Sequence, residues 1–77
     1  QLNRMFEEII SHHPPGRVNG KAAKINYITQ VRTAPPTFLL FSNIERLPQN
    51  YINYIENQLR ERLDFTGTPI KILVRRK

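Results

Sequence analysis

Four consecutive apolar residues, Phe38-Leu39-Leu40-Phe41, constrain this chain more than any other feature. The run follows the rigid reversal Thr33-Ala34-Pro35-Pro36 and ends at Ser42, so it reads as a strand over 37–42. It is apolar at successive positions, and successive strand residues face opposite ways. Both faces therefore carry apolar side chains, as in the central strand of a sheet. The flanking segments supply its neighbours. Over 25–32, Ile25, Tyr27, Thr29 and Val31 are expected on one face and Asn26, Ile28, Gln30 and Arg32 on the other. From residue 70 onward Ile70, Ile72 and Val74 alternate with Lys71, Leu73 and Arg75, which predicts a third strand.

Two amphipathic helices complete the pattern. Leu2, Met5, Phe6, Ile9 and Ile10 form one apolar stripe, and the helix stops near His12-His13 because Pro14 and Pro15 disfavour its continuation. Pro48 suits the first turn of a second helix, since its missing N–H costs nothing there. Ile52, Ile55, Leu59 and Leu63 give that helix a buried stripe flanked by Tyr51, and Glu56 and Arg60 form a favourable i,i+4 pair. Residues 16–24 read as a short basic connector. The expected order is α-β-β-α-β. The tight reversal makes the first two strands antiparallel, and the crossover helix makes the third parallel to the second. The fold class is α+β: a three-stranded mixed sheet with both helices on one face.

With 77 residues, one unit over 1–77 is expected, with a thin core and no deep cleft, because so short a chain buries only about 60% of its unfolded surface. No cysteine is present, so neither a disulfide framework nor a thiolate metal site is available. The first residue is Gln1, which fits a fragment of something longer, although a processed terminus would look the same. Twelve Lys and Arg against six Asp and Glu give a formal charge of +6. Such an excess favours phosphate backbones through counterion release, although a net charge of about 2–8 also serves solubility alone. The clustering of the basic residues along the chain favours nucleic acid. No apolar run reaches membrane-spanning length, and the chain reads as cytoplasmic with no membrane partner.

Catalytic chemistry fares poorly. Gly16-Arg17-Val18-Asn19-Gly20-Lys21-Ala22 has three residues between its glycines where a phosphate-binding loop needs four, and Ala22 stands where Ser or Thr would hold magnesium. His12-His13 diverge by about 100° on a helix and lack a third ligand at zinc spacing, so no metal site is expected. The carboxylates lie mostly beside Arg or Lys on helix exteriors. What remains is binding chemistry. Arg17, Lys21, Lys24, Arg32, Lys71, Arg75, Arg76 and Lys77 are the candidate phosphate contacts. Tyr27 and Tyr51 read as core residues with hydroxyls at the rim. Tyr54 falls off the main stripe and is the candidate for base stacking.

Several blocks then stand together in one register: His13-Pro14-Pro15, Thr29-Gln30-Val31-Arg32-Thr33-Ala34-Pro35-Pro36-Thr37-Phe38, Asn43, Leu47-Pro48 with Tyr51 and Tyr54, Glu56-Asn57-Gln58-Leu59-Arg60-Glu61, and Phe65-Thr66-Gly67-Thr68-Pro69-Ile70. This pattern resembles the C-terminal KH-like domain of the bacterial double GTPase family EngA/Der. The resemblance implies a KH-like fold, which agrees with the α-β-β-α-β order. It also implies two GTPase domains upstream, where GTP and magnesium would bind, with no cofactor in this chain. The implied role is RNA-facing and non-catalytic, in assembly of the large ribosomal subunit, with ribosomal RNA and the upstream GTPase domains as partners and the chain itself a monomer. The alternative is a protein-interaction module that docks on those GTPase domains through an apolar patch at Pro35 and Pro36. Ordinary KH domains clamp the nucleic-acid backbone with a Gly-x-x-Gly loop. The comparable connection, 43–48, has no glycine, which shifts the expected RNA contact to the basic connector and the sheet edge.

Overall fold

A computed structural model describes residues 2–65 and 67–77. Thr66, within the stretch expected to end the second helix, lies outside the described residues. The elements are α1 (Leu2–His12), β1 (Arg17–Val18), β2 (Lys21–Ala22), β3 (Ile25–Thr33), β4 (Pro36–Ser42), α2 (Gln49–Arg62) and β5 (Lys71–Arg76). The main sheet has the order β3-β4-β5, with β4 central, antiparallel to β3 and parallel to β5. This is the KH-like α-β-β-α-β arrangement, with the short β1–β2 pair inserted between α1 and β3. The Ala34-Pro35 peptide in the β3–β4 reversal is cis.

One face of the sheet is closed by the helices. Phe6 and Ile9 of α1, Tyr51, Ile55 and Leu59 of α2, and Ile28, Phe38 and Leu40 of the sheet form a single buried cluster with Leu47 and Ile70. Ile72 and Val74 of β5 lie partly buried against it. Polar ties hold the helices in place. Asn3 Oδ1 accepts from the Ile28 N–H at 3.0 Å, which fixes α1 to strand β3. The Tyr51 hydroxyl donates to the His13 carbonyl at 2.7 Å and the Tyr54 hydroxyl to the Ile9 carbonyl at 2.6 Å, so two rings of α2 clasp the end of α1. The Glu56–Arg60 pair forms at 3.4 Å, and Arg60 also donates to the Thr68 carbonyl, tying α2 to the approach to β5.

The face assignment of β3 differs from strict alternation. Register shifts fall between Ile25 and Tyr27 and between Gln30 and Arg32. Each inserts one residue and inverts the alternation beyond it. Ile25 therefore pairs with Ser42 and packs against the core, whereas Tyr27 pairs with Phe41 on the opposite face. Tyr27 is thus not part of the core cluster; its ring stacks on Phe41 with centroids 4.6 Å apart. Likewise Arg32 pairs with Thr37 and joins the uncovered face, where alternation had set it apart from Tyr27 and Thr29.

Candidate nucleic-acid interface

The segment expected to be a basic connector is a β-hairpin. Val18 pairs with Lys21 across the two-residue turn Asn19-Gly20, whose φ angles are 53° and 79°. Positive φ at both central positions is the demand of a type I′ turn, and Asn-Gly is the pair that meets it best. The Arg17 guanidinium donates to the Gly20 carbonyl, and the Ala23 N–H donates to the Gly16 carbonyl at 2.8 Å to close the base.

Asn43 fastens this hairpin to the end of the central strand. Its Oδ1 accepts from the Lys24 N–H at 2.9 Å, its Nδ2 donates to the Ala22 carbonyl at 2.9 Å, and its own N–H donates to the Lys24 carbonyl at 3.0 Å. Next to it, the fully buried Ser42 hydroxyl donates to the Ile44 carbonyl and accepts from the Ile44 N–H at 3.2 Å, which sets the bend of the following loop.

Hairpin and loop border an open groove of about 430 Å³, lined by Lys21, Arg46 and Arg76, by Asn19 and Asn43, and by Glu45 among others. Three cations thus face one carboxylate. The ion pairs Glu56–Arg60 and Glu8–Arg62 lie on the helices, and among the described residues no ion pair engages Lys21, Arg46 or Arg76.

The uncovered sheet face is different in kind. Rows of cross-strand partners run Tyr27–Phe41–Arg75, Thr29–Leu39–Leu73 and Arg32–Thr37–Lys71. Leu73 is 51% exposed and Val31, beside the second bulge, 48%. The Lys77 ammonium lies 5.0 Å from the centre of the Tyr27 ring and donates to its hydroxyl at 2.8 Å.

The eight candidate cations are therefore divided. Lys21 and Arg76 line the groove, and Arg17 and Lys24 stand on the same hairpin and its exit. Arg75 and Lys77 lie at the same end of the sheet but on the uncovered face. Arg32 and Lys71 occupy the opposite end of that face, four residues or about 13 Å along β4 from the Phe41 row. Arg46 joins the groove without having been singled out in the sequence. Tyr54 is held by its bond to Ile9, by the His13 ring at 4.9 Å and by Tyr51 at 5.7 Å, so its ring is engaged within the fold. Burial pushes the Tyr51 hydroxyl up to about 12, with the charge of nearby Tyr54 adding to the effect. Pro35 is exposed, but Pro36 is buried as the first residue of β4. Among the described residues the exposed large hydrophobic side chains are Val31 and Leu73. Of the glycines of 16–22, Gly16 precedes the hairpin and Gly20 lies in its turn, a geometry that does not fit a nucleotide phosphate cradle between strand and helix.

The family model for the KH-domain-like C-terminal region of EngA bacterial GTPase enzymes matches residues 1–75. The chain belongs to this family. It is 47% identical over 77 residues to the GTPase Der of Bradyrhizobium sp. strain BTAi1, an alignment that covers 99% of this chain and 17% of that protein. It is 45% identical over 76 residues to the GTPase Der of Mesorhizobium japonicum, covering 97% of this chain and 16% of that protein. The chain thus spans about a sixth of the length of these EngA/Der relatives and corresponds to their KH-like C-terminal piece. No helix among the described residues is long and apolar enough to cross a membrane.

Proposed function

We propose that this EngA/Der domain is the RNA-facing module of a larger cytoplasmic GTP-binding protein acting in assembly of the large ribosomal subunit, with residues 1–77 forming its single KH-like unit. The observation that carries the reading is the convergence of Lys21, Arg46 and Arg76, from hairpin, loop and last strand, on one groove with no ion pair among the described residues. Cations arranged in this way release counterions when they meet phosphates, and they position a protein on RNA without reading its sequence. The test compares the full-length GTPase with the same protein lacking this domain, binding large-subunit ribosomal RNA across a salt series. Loss of both affinity and salt dependence on deletion supports the reading. Unchanged binding assigns RNA contact to other parts of the protein.

A second reading has its own support. The uncovered sheet face presents Leu73 and Val31 to solvent with Arg32, Lys71 and Arg75 around them, a surface suited to docking on the upstream GTPase domains. Its test is the affinity between the separately produced domain and the remainder of the protein, with Leu73→Asp expected to weaken it at least tenfold.

A further inference from the structure

We infer that the groove between the β1–β2 hairpin and the 43–46 loop is a phosphodiester-binding subsite, held in shape by the side chain of Asn43. The inference rests on the RNA-facing reading above and names the place where a phosphate sits.

Three features favour this groove over the other basic surfaces. First, its cations come from three separate elements, β2, the loop and β5, so they surround a ligand rather than line up beside it. On the uncovered face the cations frame an apolar centre, and Lys77 already engages Tyr27 and Phe41. Second, charge is paired with neutral donors. Asn19 lines the groove as the neutral side chain left for a ligand, since the Asn43 amide is committed to the hairpin, and the single carboxylate, Glu45, leaves the cations in excess. Third, the groove is braced. Two side-chain bonds and one main-chain bond of Asn43 hold the hairpin exit, and the Ser42 hydroxyl sets the loop. A braced site loses less freedom when it binds, which favours affinity. The size of about 430 Å³ admits a phosphate with its sugar. The 43–48 connection thereby takes up backbone contact without the glycines of a Gly-x-x-Gly clamp.

The experiment measures binding of the full-length GTPase to deproteinised large-subunit ribosomal RNA across a salt series, with inorganic phosphate as a competitor in a second arm. Arg46→Gln and Arg76→Gln are each expected to weaken binding by about 3- to 10-fold and to lower the salt slope by about one ion. Asn43→Ala is expected to weaken binding comparably although it removes no charge, while Lys71→Gln, at the far end of the sheet, changes affinity less than about twofold. Inorganic phosphate at millimolar concentration is expected not to displace the RNA; displacement at matched ionic strength would make the groove a free-phosphate site and overturn the assignment. Wild-type binding with Arg46→Gln and Arg76→Gln no weaker than Lys71→Gln would overturn the groove but leave the RNA-facing reading standing. Absence of wild-type binding at low salt would overturn both.

Discussion

The two faces of one three-stranded sheet have opposite fates. Adjacent residues of β4 show the contrast: Phe38 and Leu40 are fully buried beneath the helices, while Leu39 and Phe41 remain partly open on the other side. On the covered face the central positions are set by packing, and the buried Ser42 is tied down by Ile44. On the uncovered face Leu73 is half exposed and cations border the apolar centre. A small domain has only enough apolar surface to close one side of its sheet well. The closed side therefore carries stability, and the open side and sheet end are where the proposed contacts lie.

Substitutions can sharpen or break this contrast. The largest effect is expected on the covered face. Phe38→Ala should cost about 3–5 kcal/mol in urea unfolding, through lost burial and the cavity left behind, which approaches the whole stability of a domain this size. A cost below about 1 kcal/mol would mean that the helices do not close that face as described. Ser42→Ala should cost about 1 kcal/mol, because it removes the hydroxyl that both accepts from the partly buried Ile44 N–H and donates to the Ile44 carbonyl.

Tyr51 gives a pH signature of the same face. Its hydroxyl stays protonated in the fold up to about 12 but ionises near 10.0 once unfolded. Its contribution is fully present below pH 10 and is lost as pH rises toward 12, since the unfolded chain then binds fewer protons. Stability measured against pH should fall through that window, and Tyr51→Phe should flatten part of the fall. The smallest effect belongs to the uncovered face. Leu73→Thr keeps a strand-forming residue and should change stability by no more than about 0.5 kcal/mol. A larger loss in the domain alone would show that Leu73 contributes to folding rather than to partner contact.

Much of the covered face is legible in the sequence. The stripes of α1 and α2 and the Phe38-Leu39-Leu40-Phe41 run follow from periodicity, because burial on one side imposes it. The bulges at Asn26 and Val31 are not legible, since β3 has polar and apolar residues on both faces and a one-residue slip leaves no mark in composition. The hairpin had a readable signal in Asn19-Gly20, but its strands are two residues each and fall below the length at which alternation can be recognised. The groove is legible only in part. Lys21 and Arg76 lie 55 positions apart, and nothing in either neighbourhood announces that β4 ends between them. Arg46 is hidden by Glu45, and the role of Asn43 exists only in three dimensions.

The most direct test of the central claim is amide hydrogen exchange of the full-length GTPase, free and bound to large-subunit ribosomal RNA. RNA contact at the groove predicts added protection in the hairpin, 17–22, and in the loop, 43–46, with the centre of β5 around Leu73 unchanged. Protection around Leu73 with no change in the hairpin or loop would contradict it, and would place the RNA on the uncovered sheet face instead.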